Sequence, residues 1–333
     1  MHPLLRAIAE RQLGVFTAAD ARRAGYDHSE IRHLRTSGAW VTLRRGVYMG
    51  ADELGRVTGA RRRHLVDCMA VLLELGRTDA AVSSVSAARI WGWPLRRELD
   101  RTVRLTHPTA GRRGRGFRMT QASLTATDVT TSGPIRITTA ARTLVDCARE
   151  WDLDDAVVAM DAALLAQQTT TADLQQALAA ARGWTGVRAA ARAVSLTDGR
   201  AESPLETRGR LRLVGAGLRP TDLQVEIRTG GHRVAVVDAW FEEAAVAVEF
   251  DGRVKYTNPW RRRTPEQVLW DEKRREDELR SLDIRIVRIA EADVHVPGWH
   301  RIEDRLRALL ATGGPAARRF SATPRTYGRR QAG

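Results

Sequence analysis

Apolar and polar residues alternate most regularly between Val234 and Phe250, where two apolar runs flank a short turn of two glutamates. In the first run, every second residue from Val234 to Trp240 shares one face of an extended chain. In the second run, every second residue from Val246 to Phe250 does the same. Alternation with a period of two around a short loop is typical of a β hairpin. The pattern therefore predicts two antiparallel strands joined by the acidic turn.

Three carboxylates interrupt these strands: Asp238 in the first, and Glu249 and Asp251 in the second. Packing three carboxylates together is costly unless a cation neutralises them or some are protonated. Oxygen ligands converging from adjacent strands suit a hard divalent ion, so the sequence predicts that these acids hold Mg²⁺ or Mn²⁺. The only two lysines of the chain, Lys255 and Lys273, both follow the second strand, which favours a working charged site. The alternative interpretation is that the acids end their strands and point into water.

Residues 1–50 have the pattern of a small DNA-binding unit, with three short helical segments in succession. The last two are joined by a turn containing Gly25, which is the helix-turn-helix signature. Residues 39–50 then predict two short strands, the wing of a winged helix. Ile31 and Leu34 are expected to face the core. The residues expected to contact DNA are Ser29, Arg32, His33, Arg35, Arg44 and Arg45.

Two further segments differ in composition from the apolar patterns around them. Residues 111–116, GRRGRG, lie between alternating segments and lack the strand-to-helix context of a phosphate loop, so they predict a basic hairpin turn. The last residues are rich in Gly, Pro and Arg without apolar periodicity, which is typical of disorder. The predicted organisation is α+β and multidomain: a winged helix at 1–50, a mixed α/β and then helical region at 57–198, an α/β domain at 200–310 and a disordered basic tail at 313–333.

Charge and composition narrow the classes of partner. The chain carries 54 Lys and Arg against 40 Asp and Glu, a formal net charge of +14, and such a field attracts polyanions. Nucleic acid is the first interpretation and an acidic membrane surface the second. No apolar run has the length of a membrane span, and the N-terminus lacks an export signal. Cys68 and Cys147 lie in apolar helical patterns, so a cytoplasmic, reduced protein with two buried thiols is expected.

The N-terminal motifs resemble a known family. RQLGVFTAADARRAG at 11–25, followed by LRRGVY at 43–48, resembles the N-terminal domain of AbiEi-family antitoxins. The arrangement of the following segments resembles that family to about residue 195. The resemblance implies a domain that binds operator DNA and represses its own operon. It also implies a nucleotidyltransferase-like toxin as a protein partner.

The carboxylate strands carry a second resemblance, over about residues 200–295. Asp238, about ten residues and then Glu-x-acid resembles the PD-(D/E)xK nuclease core, in the branch of very-short-patch-repair endonucleases. A helical Glu and a Gln before the first strand in that branch match Glu206 and Gln224 here. The pattern departs at Asp251, where the motif has Lys, and at Lys255, where the branch often has His. The role of the motif Lys has therefore either moved to Lys255 or been lost.

Two functional hypotheses result. In the first, the winged helix places the chain on double-stranded DNA and the C-terminal restriction-endonuclease-like domain hydrolyses a phosphodiester bond with Mg²⁺. In the second, the protein is a non-catalytic AbiEi-like antitoxin and repressor whose nuclease-like domain is a binding platform. The intact Asp–Glu pair favours the first. The residues assigned to catalysis are Asp238, Glu249, Asp251, Lys255 and Glu206, of which the first three would hold the metal.

Overall fold

The chain folds into two compact units that each combine helices with β-sheet. A computed structural model describes residues 1–77, 79–95, 101–252, 265–295 and 298–325. Unit 1 is formed by residues 1–159 with 167–195, and unit 2 by residues 160–166 with the chain from residue 196 onward. Three separate sheets lie within the described ranges. The predicted class, a mixed α+β protein with several sheets, is confirmed.

The first fifty residues of unit 1 contain α1 (Pro3–Glu10), β1 (Val15–Thr17), α2 (Ala18–Arg23), α3 (His28–Thr36), β2 (Trp40–Arg44) and β3 (Val47–Gly50). The three strands form an antiparallel sheet in the order β1-β3-β2. Thr17 and Asp27 begin α2 and α3 with capping boxes, which satisfy amides that the first helical turn leaves without partners. The core beneath is aromatic, with the rings of Phe16 and Trp40 packed edge to face at 4.7 Å.

The remainder of unit 1 surrounds a six-stranded sheet. Its elements are α4 (Ala51–Gly55), α5 (Ala60–Leu75), β4 (Ala81–Val82), α6 (Ser84–Trp91), β5 (Val103–His107), β6 (Arg112–Gly114), β7 (Phe117–Gln121), β8 (Val129–Ser132), β9 (Ile135–Thr138), α7 (Ala140–Ala148), α8 (Leu153–Leu165, shared with unit 2), α9 (Thr171–Ala180) and α10 (Val187–Leu196). The strand order is β6-β7-β5-β4-β9-β8. The predicted basic hairpin at GRRGRG is confirmed, because β6 pairs antiparallel with β7 around it.

Unit 2 is built on a five-stranded sheet in the order β13-β12-β11-β10-β14. Its elements are α11 (Pro204–Gly215), β10 (Asp222–Thr229), β11 (His232–Phe241), β12 (Val246–Asp251), α12 (Pro265–Ser281), β13 (Arg285–Ala290), α13 (Gly298–Ala311) and β14 (Ser321–Pro324). The predicted hairpin is confirmed, because Ala239 of β11 pairs with Val248 of β12. β12 and β13 pair in parallel.

Two apolar cores cover the two faces of this sheet. Leu205 and Leu213 of α11, with Leu306 of α13, pack on one face. Leu279 of α12 and Leu282, which follows that helix, pack on the other. Consecutive residues from Ala239 to Phe241 of β11, and from Val246 to Val248 of β12, alternate between these cores, as a strand buried on both sides requires. The sheet of unit 2 therefore lies between two helical layers.

Helix α11 lies unusually close to the sheet because Gly209 has no side chain. A Cβ built at Gly209 would lie 2.6 Å from Cδ1 and Cζ of Phe250, closer than carbon atoms can pack. The next residue, Arg210, donates from Nη2 to Oδ2 of Asp161 at 2.8 Å, and the Asp161 residue is 1% exposed. The glycine contact and the buried ion pair together fix where α11 presents Glu206.

The predicted disordered tail from Gly313 is wrong for part of its length. Ser321–Pro324 forms β14, which pairs antiparallel with β10, and Val225 lies opposite Pro324. The reason is that β10 would otherwise leave an edge of unpaired backbone amides and carbonyls, which a short strand without apolar periodicity can satisfy. Residues 326–333 lie outside the described ranges.

Cys68 and Cys147 are free thiols buried in unit 1, as predicted. Burial raises the pKa of both thiols, so neither is an activated nucleophile. Among the described residues, no helix is long and apolar enough to cross a membrane.

Replacing Gly209 by Ala should destabilise unit 2. The added methyl group would overlap the Phe250 ring and push α11 from the sheet, at a cost of about 1–3 kcal/mol in the free energy of unfolding. Chemical denaturation monitored by circular dichroism measures this change.

Gly215→Ala is the matched control in the same helix, since no atom lies within 4 Å of a Cβ there. It should leave stability unchanged or raise it slightly through helix propensity. Equal stabilities for the two variants would contradict the packing account.

Candidate nucleic-acid interface and carboxylate site

The candidate DNA-reading helix is α3. Asp27 Oδ1 accepts from the Glu30 amide at 2.8 Å, and Glu30 Oε2 accepts from the Asp27 amide at 2.8 Å. The backbone bond from Glu30 is the main reason that the pKa of Asp27 is lowered. Ile31 is buried and Leu34 packs partly against the same aromatic core, as predicted. The helix is therefore held by its cap and one apolar edge, and its remaining surface faces outward.

Four predicted DNA contacts, Ser29, Arg32, His33 and Arg35, lie exposed on α3. Ser29 Oγ donates to the capping carboxylate of Asp27 at 2.7 Å, and the Arg35 guanidinium lies 5.5 Å from the centre of the Tyr48 ring. Arg32 makes no side-chain ion pair or hydrogen bond within the described part of the chain. Arg32 is therefore the helix residue best placed to bond an incoming group.

Arg44 and Arg45, the two predicted wing arginines, have different environments. Arg45 is exposed at the turn between β2 and β3. Arg44 is half-buried, forms an ion pair with Glu74, and donates from Nη2 to the carbonyl oxygen of Arg115 at 2.6 Å. Its guanidinium also lies 5.5 Å from the Phe117 ring centre. Arg44 therefore binds the protein in this structure, and no local pattern could reveal it because its partners are distant in sequence.

Two of the predicted acids of unit 2 share one amide. Gln224 Nε2 donates to Oε2 of Glu206 at 2.9 Å and to Oδ1 of Asp238 at 3.1 Å. The other Asp238 oxygen, Oδ2, accepts from the Phe250 amide at 2.7 Å. Glu206 Oε2 also accepts from the Glu202 amide at 2.7 Å. The helix α11 and the strands β10 and β11 thus meet at a linked Glu–Gln–Asp set.

The backbone departs from regular strand geometry at this set. Leu223 packs in the core under α11, whereas Val225, two residues on, packs in the core under α12. Gln224 between them is 3% exposed and has φ of +50°, in the left-handed region that non-glycine residues rarely occupy. Such a conformation costs about 1–3 kcal/mol and persists only where its surroundings enforce it. The strain turns the Gln224 amide onto the two carboxylates.

Burial and the neighbouring charge of Asp238 change the acidity of Glu206. Removal from water is the larger cause and the Asp238 carboxylate the second, and together they raise the pKa of Glu206 to about 7. Near neutral pH the Glu206 carboxyl is therefore present in both its protonated and its ionised form. A carboxyl group in this state can donate as well as accept a proton.

Glu249 is turned to the opposite face, towards α12. Its two oxygens accept from Nη1 and Nη2 of Arg275 at 2.7 and 3.1 Å, and Arg288 of β13 lies 3.6 Å away. Arg288 also pairs with Glu272 and Glu276 at 3.2 and 3.1 Å. Arginines therefore supply positive charge at Glu249. Sequence analysis missed Arg275 because alternating charges on a helix are typical of a solvated face.

The predicted metal ligands are thus divided between the two faces of the sheet. In the described ranges, no group of three or more His, Cys, Asp or Glu side chains is arranged to hold a metal ion. Asp251 is half-buried and Lys273 is exposed, while Lys255 lies outside the described residues. Glu249 does not fit as a ligand while both its oxygens bind Arg275. The set that the structure does bring together is Glu206, Gln224 and Asp238.

Comparison with known proteins bears on the N-terminal part of the chain. The family described as "Transcriptional regulator, AbiEi antitoxin" matches residues 3–49, so the resemblance expected there is confirmed. The uncharacterized proteins MT2308 and Rv2248 of Mycobacterium tuberculosis, from strains CDC 1551 / Oshkosh and ATCC 25618 / H37Rv, are each 32% identical over 125 residues. The similarity covers 37% of this chain and 46% of each relative, so the chain spans less than half the length of these relatives.

The Glu206→Gln variant should lose a pH dependence of stability that the wild type shows. Since the pKa of Glu206 is raised from 4.5 to about 7 in the folded protein, its stabilising contribution is complete below about pH 4.5 and is lost as pH rises to about 7. Over that interval the free energy of unfolding of the wild type should fall by roughly 1–3 kcal/mol relative to the variant. Denaturant titrations at a series of pH values measure the difference.

The charge of the Asp238 carboxylate is one cause of the raised pKa of Glu206, so the measured curve belongs to the two carboxylates together. Glu243→Gln removes one exposed carboxylate of unit 2 and serves as the control, with a curve parallel to the wild type. If Glu206→Gln also followed the wild type, the proton would not reside at this set.

Proposed function

We propose that this protein is a DNA-binding transcriptional regulator of the AbiEi antitoxin type, and that residues 3–49 bind DNA as a winged helix. The observation that carries the proposal is the coincidence of the matched family region with an exposed basic helix. The match ends one residue before β3 does, and α3 within it presents Arg32 and Arg35 to solvent. The comparison supplies the family resemblance, and the exposed arginines supply the chemistry.

The order of elements supports a winged helix. A helix–turn–helix requires two helices joined by a short turn, and α2 and α3 are separated by residues 24–27, with Gly25 at φ of +95°. Two strands, β2 and β3, follow at once and present Arg45 at their turn. In this class of domain the second helix enters the major groove, and residues from its first turns contact base edges. Ser29 and Arg32 have those positions in α3.

The overall charge and the family resemblance extend the proposal to partners and location. A net charge of +14 steers the chain towards double-stranded DNA before any specific contact forms. A protein of this type acts in the cytoplasm, where bacterial DNA lies. By resemblance to the antitoxin family, we also propose a nucleotidyltransferase-like toxin as its protein partner.

Arg32→Ala should weaken binding to a preferred DNA site by roughly 1–3 kcal/mol and reduce the preference for that site, because an arginine that bonds a base edge carries sequence information. The site is first obtained by selection from a randomised duplex library. Fluorescence anisotropy then compares the selected duplex with a scrambled one.

Arg192→Ala provides the control, since Arg192 is exposed on α10 and lies outside the matched region. It should bind both duplexes like the wild type. A library that yields no preferred site would contradict the proposal, as would unchanged preference in both Arg32→Ala and Arg35→Ala.

A second candidate function is hydrolysis of a DNA phosphodiester by unit 2, and the linked set Glu206–Gln224–Asp238 is the observation that favours it. Buried acids with raised pKa values are enriched at catalytic sites. The described residues bring together two of the carboxylates expected of a Mg²⁺ or Mn²⁺ nuclease, and Glu249 is bound to Arg275.

The test for this candidate is nicking of supercoiled plasmid with Mg²⁺ or Mn²⁺ by the wild type and by Asp238→Asn. The substitution keeps the shape of the side chain but removes its charge, so nicking should disappear while DNA affinity is kept or rises. Persistent nicking in Asp238→Asn would exclude Asp238 from the reaction. An intact plasmid with either metal would contradict the candidate and leave the regulator proposal standing.

A further inference from the structure

The hairpin β6–β7 carries a group of exposed arginines beside the proposed wing. Arg112, Arg113 and Arg115 are all exposed, and none of their side chains makes an ion pair or hydrogen bond within the described part of the chain. Several other arginines of unit 1 are paired with carboxylates: Arg23 with Asp20, Arg56 with Glu53, Arg63 with Asp67, Arg104 with Glu150, and Arg142 and Arg149 with Asp146. The hairpin thus concentrates positive charge that no described acid neutralises.

Glycines shape this hairpin so that its arginines face outward. A Cβ at Gly114 would lie 2.6 Å from Cζ of Phe117, so only glycine lets the turn close over that ring. Gly116 has φ of +68°, which the tight turn requires. Phe117 is buried in the core of unit 1, whereas Arg115 at the turn is exposed. The sequence GRRGRG is therefore a tight turn with a basic surface.

Arg44 fastens this turn to β2. Its Nη2 donates to the Arg115 carbonyl at 2.6 Å, and its guanidinium lies over the Phe117 ring. Glu74 of α5 holds the same guanidinium in an ion pair. Arg44 is the residue before Arg45 of the proposed wing. One arginine side chain and its hydrogen bond therefore connect the wing to the turn of the β6–β7 hairpin. The two basic turns are therefore neighbours in a fixed arrangement.

We propose that the β6–β7 hairpin is a second nucleic-acid contact, in which Arg112, Arg113 and Arg115 bind the phosphate backbone of the duplex that α3 reads. The inference rests on the proposed DNA-binding function and adds a surface outside the matched region 3–49. Charge complementarity identifies the occupant, since several exposed guanidinium groups on one tight turn suit a row of phosphates. Arg44 acts as a positioning residue that sets the hairpin against the wing. Contacts of this kind fix register and orientation but carry no sequence information.

The test is the salt dependence of binding to a fluorescein-labelled duplex of mixed sequence, measured by anisotropy from about 0.05 to 0.2 M NaCl. Each phosphate contact contributes about 0.9 to the slope of log binding constant against log salt concentration. The triple variant Arg112→Ser, Arg113→Ser, Arg115→Ser should lower the slope by about 1 to 3, and weaken binding to every sequence alike. Its preference for a selected site over a scrambled one should remain.

The control removes the same charge elsewhere in unit 1. Arg182, Arg188 and Arg192 are exposed, and their side chains have no ion-pair partner in the described ranges, so replacing all three by Ser gives an equal change in net charge. This variant should keep the wild-type slope. Thermal unfolding by circular dichroism checks that both triple variants fold, which is expected because all six side chains are exposed.

The outcomes separate this inference from the proposed function. Equal slopes for the two triple variants would overturn the hairpin contact, while sequence preference in the wild type would leave the regulator proposal intact. A reduced slope only in the hairpin variant, without any sequence preference in the wild type, would support the phosphate contact and overturn the regulator proposal. A wild type that does not bind the mixed-sequence duplex would overturn both.

Discussion

The amide of Gln224 holds together three elements that would otherwise repel one another at Glu206 and Asp238. The side-chain amide donates to both carboxylates. The backbone carbonyl oxygen of Gln224 accepts from the backbone amide of Arg325, beside β14. The left-handed backbone conformation of Gln224 makes these contacts possible. It also places Leu223 in one apolar core and Val225 in the other. The two carboxylates, the two apolar cores and the edge strand β14 of unit 2 therefore all meet at one buried residue.

In unit 2, arginine side chains supply positive charge to the acids around Glu249. Arg275 holds both oxygens of Glu249, and Arg288 links Glu249 to Glu272 and Glu276. A guanidinium satisfies a carboxylate in a planar, two-bond geometry that offers no open position for a substrate oxygen, unlike a divalent ion. Arg275 and Arg288 thus supply the positive charge next to the acids on this face of the sheet.

In unit 1, arginine side chains have two separate roles. Arg44 is partly buried and joins the wing strand to α5 and to the β6–β7 hairpin. Its charge is therefore paired within the protein. Arg32 and Arg45 keep their charge at the surface because no described acid approaches them. The contacts of Arg44 thus place the exposed Arg45 beside the exposed arginines of the β6–β7 hairpin. A high arginine content alone could not distinguish the two uses.

Local pattern determined much of this protein. Alternation around the acidic turn predicted β11 and β12, and the turn at Gly25 between two short helical segments predicted α2 and α3, because these signals act between residues a few positions apart. The motif at 11–25 and 43–48 also indicated the family that matches residues 3–49. Glu206 and Gln224 were identified only through a resemblance, and Asp238 through its strand pattern.

Tertiary structure decided which charges meet. The pairing of Glu249 with Arg275, the capture of Arg44 by Glu74 and Arg115, and the addition of β14 at the sheet edge all join residues far apart in the chain. A period-two pattern assigns a side chain to a face, but it does not show where a strand departs from regular geometry, as at Gln224 and Asp238. Local sequence therefore determined the elements and their exposed faces, whereas long-range packing determined which carboxylates share the Gln224 amide and which are paired with arginine.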